Sequence, residues 1–174
     1  MIAALDQRLT ELSRVLDRAC TLISFVALHV MLLSVLLQVV ARYIFNSPPA
    51  WTEELARYAM IWAAMTGAAM AYYRGADPVM RRFDTRGLPG RMLLTKSIEA
   101  AAVLTLAAPV LYYAPSFLER HAHRITETLE WNSAAVVVII PASFTIIVIH
   151  LAARYVHALH QYLDRGKRIP RLHS

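Results

Sequence analysis

Four long stretches of the chain carry almost no charged residues, and short polar segments separate them. The stretches lie at about 20–40, 55–73, 98–118 and 131–153. A helix that crosses the hydrocarbon core of a bilayer needs roughly 20 mainly apolar residues, with about 17 to 25 tolerated. Three stretches have this length, and the second reaches it when Arg57 at its end snorkels towards the headgroups. The pattern predicts an all-α integral membrane bundle of four transmembrane helices, forming a single membrane domain over residues 1–174.

The first 19 residues have a different pattern. Ile2, Leu5, Leu9, Leu12 and Leu16 recur at steps of three and four, with charged residues between them. This spacing places one apolar stripe on a helix. It predicts an N-terminal amphipathic helix over residues 1–19 that lies along the inner membrane surface before the chain turns into the first span. Packing of the stripe on another subunit is the alternative, and the sequence does not separate the two.

The composition agrees with a membrane protein, and the basic residues predict its topology. Hydrophobic residues make up 57% of the chain and charged residues 17%, whereas soluble domains carry about 25% charged residues. Of the 18 Lys and Arg residues, 14 lie before the first stretch, between the second and third, or after the fourth. By the positive-inside rule these segments face the cytoplasm, so both termini, with a tail over 154–174, are expected there. Anionic lipid headgroups then balance the basic excess, and no nucleic-acid partner is expected.

Ionisable residues are nearly absent from the middle of the four stretches. Glu99 and Arg57 lie at stretch ends, within reach of the headgroups. Because ionisable groups at mid-depth mark ion and proton pathways, this chain alone is not expected to form a complete ion-coupled pump. A small drug exporter, which would need a carboxylate in its first span, is not favoured either. His121 and His123 in the third connection are interpreted as solvated loop residues, so no metal site is expected.

Two histidines leave one alternative function open, the membrane anchor of a redox complex that binds a b-type haem or a quinone. His29 and His150 both lie towards the cytoplasmic side of their predicted spans. Two imidazoles that ligate one haem must lie at similar depth. The positions of these two predict a difference of roughly 9 Å along the helix axis. Packing or interfacial roles are therefore the favoured interpretation of both.

Small residues and prolines in the spans predict how the helices pack. Ala63, Gly67 and Ala71 recur every four residues, and Ala59 lies one step before them. Such a face lets another helix approach closely, either within the chain or in a partner, and the sequence leaves both open. Proline inside the later spans should kink them and free backbone carbonyls that then need partners. The prolines concerned are Pro109 and Pro141.

A dense polar cluster lies between the first two spans. Two adjacent prolines at 48 and 49 break the first helix, after which Thr52 is predicted to cap the second. Glu53 and Glu54 then fall in its first turn, at the positive end of the helix dipole. Glu53 and Arg57 are four residues apart with the acid first, which favours an ion pair on one helix face. A membrane-edge anchor explains such a cluster, and so does docking to another protein.

An ordered motif around this cluster resembles a known family. The motif runs Arg42-Tyr43-Ile44-Phe45-Asn46, a short gap with two prolines, and Trp51-Thr52-Glu53-Glu54-Leu55-Ala56-Arg57-Tyr58. It resembles the DctQ-type small membrane subunit of tripartite ATP-independent periplasmic (TRAP) transporters. The later spans match this family only as apolar helices. The chain departs from the family at Asp77-Pro78. At these positions members of the family often have a histidine followed by an aliphatic residue.

The resemblance implies a complex of three parts in the bacterial inner membrane. In such a complex a periplasmic binding protein captures an organic acid, and a large membrane subunit carries the substrate and sodium sites. The small permease subunit packs beside the large one as a scaffold for sodium-driven symport. It is therefore expected to be no enzyme and to need no cofactor. The motif residues expected at a partner interface are Arg42, Tyr43, Asn46, Trp51, Glu53, Glu54, Arg57 and Tyr58.

Overall fold

Helices and short connections make up the described part of the protein. A computed structural model describes residues 2–75 and 89–168, with side chains described for 6–75 and 94–160. Over these residues no strand forms, and one isolated bridge pairs Ile125 with Asn132. The all-α prediction is confirmed. The helices are α1 (Ile2–Ile44), α2 (Ala50–Arg74), α3 (Pro89–Ala122), α4 (Ser133–Val137) and α5 (Ile139–Arg168).

Two antiparallel helices and one central helix organise the bundle. α1 and α2 form a tight hairpin, and α5 packs against α1, α2 and α3. The α1–α2 turn and the α3–α4 loop lie at one end of the bundle, which is called the turn end below. The opposite end carries the start of α1 and the C-terminal half of α5.

Burial in this bundle is the reverse of that in a soluble protein. Thr66, Ala69 and His150 are fully buried, whereas Leu22 and Phe25 are 64% and 60% exposed. Small buried residues allow close helix approach, and lipid can solvate the outward-facing apolar side chains. This distribution suits a bundle that is surrounded by lipid.

Three helical segments within the described residues are long and apolar enough to cross a membrane. They are Asp6–Ile44, Leu94–Ala122 and Ser133–His160. α2 is not among them, although its 25 residues would extend for about 37 Å. Its role as the fourth transmembrane helix stays a prediction, as does the orientation of the bundle.

The N-terminal segment differs from its prediction. α1 runs without interruption from Ile2 to Ile44, a rise of about 64 Å, so the chain does not turn after residue 19. Ser13 and Asp17 of this segment are buried against the bundle, and the hydroxyl of Ser13 lies in hydrogen-bond contact with Nδ1 of His150. His157 Nδ1 lies 3.3 Å from Asp6 Oδ2 on the same side. These contacts explain why the segment continues along α5; a separate helix lying flat on the membrane would lose them.

The last span is interrupted near its proline. α4 ends at Val137 and α5 begins at Ile139, two residues before Pro141. Proline has no amide hydrogen to give to a carbonyl one turn earlier. Close to the break, the carbonyl of Val136 accepts a hydrogen bond from Nε1 of Trp62, at 3.0 Å. The interruption lies where a kink was predicted at Pro141, and a neighbouring helix satisfies a carbonyl at the break. α3 continues through Pro109.

The turn between α1 and α2 depends on a residue in the left-handed conformation. Asn46 has φ 50°, and the amide of Ser47 returns to the carbonyl of Ala41 at 3.3 Å. Asparagine tolerates this conformation better than other non-glycine residues. The prediction for Thr52 is wrong, because α2 begins at Ala50 and the Thr52 hydroxyl donates to the carbonyl of Pro49 at 2.7 Å.

Two predicted features lie outside the described residues. They are the Asp77-Pro78 departure from the family pattern and the end of the predicted tail, 169–174.

The left-handed turn residue yields a stability test. We expect Asn46→Val to destabilise the purified protein by about 1 to 2 kcal/mol, because a β-branched side chain clashes in this conformation. Asn46→Gly is the matched control and should stay within about 0.5 kcal/mol of the wild type, since glycine adopts positive φ freely. Thermal unfolding in detergent measures both. Equal stability of the two variants would contradict the role given to Asn46.

Candidate functional site

The carboxylate of Glu54 holds the α3–α4 loop onto the start of α2. It accepts hydrogen bonds from the backbone amides of Glu127 at 3.2 Å, Thr128 at 2.8 Å and Leu129 at 3.0 Å. The hydroxyls of Thr128 and Tyr58 also donate to it. One anion therefore accepts hydrogen bonds from three successive amides and one hydroxyl of the loop and from one hydroxyl of α2.

These donors keep Glu54 ionised. The hydrogen bond from the Thr128 hydroxyl, followed by that from Tyr58, lowers the pKa of Glu54 to about 2. Hydrogen bonds to the charged form of a carboxyl group favour that form. Residue spacing predicts Glu54 in a helix turn that faces the dipole. The same spacing gives no sign of the loop contact, because the loop amides lie more than 70 residues further along the chain.

The loop itself has a defined shape. The amide of Thr126 donates to the carbonyl of Trp131 at 2.9 Å, and the Trp131 amide donates to the Thr126 hydroxyl at 2.9 Å. Asn132 caps α4 by accepting from the amide of Ala134, and its side chain donates to the carbonyl of Ala122. Such local bonds fix the loop before any partner binds.

A cavity of about 420 Å³ lies between this loop and the first turns of α2. Glu53 and Arg57 stand at its edge, with 3.1 Å between Arg57 Nη2 and Glu53 Oε1. The predicted ion pair is therefore confirmed. Its side chains are 66% and 62% exposed, and exposed pairs of this kind stabilise a fold little. The cavity is lined by Ala50, Glu53, Glu54, Arg57, Tyr58, Arg124, Ile125, Thr126, Glu127, Thr128 and Ser133.

The structure brings together only part of the motif residues. Arg42 and Tyr43 lie on the last turn of α1, exposed and outside the cavity lining. Arg42 makes no hydrogen bond or ion pair with the described residues. Asn46 ends the helix through its backbone, and Trp51 is 40% exposed. The turn end thus presents a charged cavity beside an exposed cationic and aromatic edge.

The small-residue face of α2 packs inside the chain. Ala63 is 7% exposed, and its carbonyl accepts from the hydroxyl of Ser24 on α1 at 3.3 Å. A methyl group at Gly67 would meet Ser24 Oγ at 3.7 Å, which is ordinary contact. The structure favours contact within the chain for Ala63 and Gly67, while Ala71 is half-buried.

Comparison with known proteins identifies the family. Residues 31–161, about three-quarters of the chain, match the DctQ component of tripartite ATP-independent periplasmic transporters. The chain belongs to the DctQ family. A Haemophilus influenzae protein named as a TRAP transporter small permease is 39% identical over 62 residues. That match covers 36% of this chain and 38% of the relative's length.

The DctQ family is a family of transporter subunits and not of enzymes. The family match includes the whole turn-end cavity and both ends of α2. It also includes Glu99, which is predicted to lie near the headgroups. In this DctQ chain Glu99 pairs with Lys96 at 2.6 Å and Arg154 at 3.1 Å, and accepts from the Tyr72 hydroxyl. One acid thereby links α3, α5 and α2 at the opposite end.

The geometry of this DctQ chain does not favour the haem alternative. His150 packs beside Ser13, whereas His29 lies on the same helix as Ser13 but roughly 24 Å further along its axis. His29 is exposed and its Nδ1 contacts the carbonyl of Phe25. The two imidazoles therefore do not face one another. In the described part of the chain, no group of three or more His, Cys, Asp or Glu side chains is arranged to hold a metal ion.

The Glu54 contacts predict how the loop responds to mutation. We expect Glu54→Gln to speed hydrogen exchange of the amides at 127–129 by about tenfold, because an amide side chain replaces a charged acceptor. Glu53→Gln is the matched control and should leave these amides unchanged, since Glu53 contacts Arg57 and not the loop. Exchange followed by mass spectrometry resolves this segment.

Lowering the pH should also weaken the protection of the loop amides in the wild-type protein. Because the pKa of Glu54 lies below the ordinary carboxyl value of 4.5, its contribution to the protection of the loop is complete above that pH. The contribution should be lost as the pH falls towards 2. Loop protection that already falls between pH 8 and 6, after correction for intrinsic exchange, would contradict the assignment.

Proposed function

We propose that this DctQ subunit supports the large membrane subunit of a TRAP-type secondary transporter. The transporter would use a sodium gradient to take up an organic acid that a periplasmic binding protein delivers. In this proposal both termini face the cytoplasm, all four long helical segments cross the membrane, and the turn end faces the periplasm. The distribution of basic residues supports the orientation.

The distribution of charge along the bundle is the observation that carries the supporting role. Within the described residues, the charged groups gather at the two ends, around Glu54 and around Glu99. Between them the buried polar side chains are neutral, and Ser34, Thr66 and Ser143 each donate to a carbonyl of their own helix. Transport of ions or carboxylates needs charged or open coordination at mid-depth. A subunit built in this way is suited to hold a partner in place.

The turn end supports docking of a partner at the periplasmic face. The loop is held in one shape by Glu54, while Glu53, Arg57 and Arg124 remain exposed around the cavity. A fixed shape reduces the entropy lost on binding. Exposed charges of both signs give a partner electrostatic specificity. The large subunit and the binding protein are the candidate partners at this surface.

Purification from native membranes tests the proposed function. A tag on this chain should recover a large multi-span membrane protein in constant ratio after mild detergent extraction. The chain reconstituted alone in liposomes should show no sodium-driven uptake of a labelled organic acid. Uptake by the isolated chain would contradict the supporting role.

A charge reversal tests docking at the turn end. We expect Glu53→Lys, with Arg57 kept, to reduce co-purification of the large subunit by about tenfold, because two like charges then replace the pair. The stability of the purified chain should change by less than about 1 kcal/mol, since the pair is exposed. Glu119→Lys is the matched control, with the same charge change on an exposed residue outside the cavity. Unchanged co-purification in Glu53→Lys would contradict the docking role.

A further inference from the structure

A groove at the opposite end of the bundle combines two guanidinium groups with an exposed apolar surface. It has a volume of about 330 Å³ and lies where α1 and α2 run side by side. Its lining consists of Asp17, Arg18, Thr21, Leu22, Phe25 and Arg74. None of the interactions assigned to the turn end involves this groove.

Asp17 orients Arg74 in the groove. The carboxylate of Asp17 is nearly buried and accepts from Nε of Arg74 at 3.2 Å and from Nη2 at 3.3 Å. Nη2 also donates to the hydroxyl of Thr21 at 2.7 Å. Neither hydrogen of Nη1 has a partner among the described residues. One edge of a fixed guanidinium is therefore open to an external acceptor.

Arg18 supplies the second charge. It is exposed and makes no hydrogen bond or ion pair with the described residues. Because Arg74 and Asp17 neutralise one another, Arg18 leaves the groove with a net positive charge. Two guanidinium groups lining one groove offer donors to a phosphate group, which arginine can bind through two parallel hydrogen bonds.

The apolar half of the groove continues along α1. Leu22 lies one turn beyond Arg18 and Phe25 lies nearly one turn further, on the same helix face. They are 64% and 60% exposed. The groove thus begins at charged residues that flank the predicted spans and extends over surface that faces hydrocarbon. A molecule that fills it needs an anionic head and an apolar chain.

We propose that this groove binds an anionic glycerophospholipid of the cytoplasmic leaflet. The phosphate lies between Arg18 and Arg74, and an acyl chain lies along Leu22 and Phe25. Basic pockets between transmembrane helices on the cytoplasmic side are a recognised setting for such headgroups. The lipid links the start of the first span to the end of the second, independently of the transport role proposed above.

Lipid titration of the purified full chain tests this site. After delipidation in detergent, phosphatidylglycerol and phosphatidylcholine with the same acyl chains are titrated and bound lipid is counted by native mass spectrometry. We expect phosphatidylglycerol to bind about tenfold more tightly. Arg18→Gln should remove most of this preference and is expected to fold, because Arg18 is exposed. Arg14→Gln is the matched control, one turn earlier on α1 and outside the groove, and should keep the preference.

Four results would overturn the proposal. Equal binding of the two lipids would show that the groove does not recognise the anionic headgroup. An equal effect of both arginine variants would indicate non-specific attraction between the basic segment and anionic lipid. Displacement of the lipid by inorganic phosphate at equal concentration would indicate a phosphate site without a role for the acyl chain. Unchanged lipid binding by Arg18→Gln, together with reduced recovery of the large subunit, would assign the groove to a protein contact. Loss of lipid preference with normal recovery of the large subunit would support the lipid site alone.

Discussion

The close antiparallel packing of α1 on α2 is the contact on which the other sites of this bundle depend. Small residues at Ala59 and Ala63 bring the two backbones together, and the Ser24 hydroxyl reaches a backbone carbonyl across the interface. In lipid, close packing and satisfied polar groups replace the hydrophobic force that folds soluble proteins. This packing sets the register of the two helices. It thereby places Arg74 against Asp17 at one end and directs Glu54 towards the α3–α4 loop at the other.

The two ends then use charge in different ways. At the turn end Glu54 is enclosed by loop donors and fixes the shape of the surface, while the Glu53–Arg57 pair remains exposed at its edge. At the opposite end Glu99 joins three helices, and Arg74 is held with one edge open. Charged groups that are hydrogen-bonded within the chain fix its structure. Charged groups that remain exposed are available to partners or lipids. This division agrees with the proposed supporting role, which needs little ionisable chemistry at mid-depth.

Some features of the site were accessible from local sequence spacing. The Glu53–Arg57 pair follows from a separation of four residues on a helix, and the interruption near Pro141 follows from a missing amide hydrogen. The role of Thr52 was wrong, because the helix begins two residues earlier and the hydroxyl turns back to Pro49. The turn predicted after residue 19 is absent, and α1 runs on while Ser13 and Asp17 find polar partners on α5 and α2. Leucine spacing reports one helix face and does not reveal which partners the other face has.

The sequence by itself determined the helical class, the residence in a membrane and the membership of the DctQ family. These properties depend on apolar length, on charge spacing and on a contiguous motif, all of which are local along the chain. Only the tertiary structure decided the loop held by Glu54, the three-helix junction at Glu99 and the groove beside Arg74. Their partners lie 27 to 75 residues apart. Helix register and packing bring such residues together, and neither can be read from the spacing of residues within one helix.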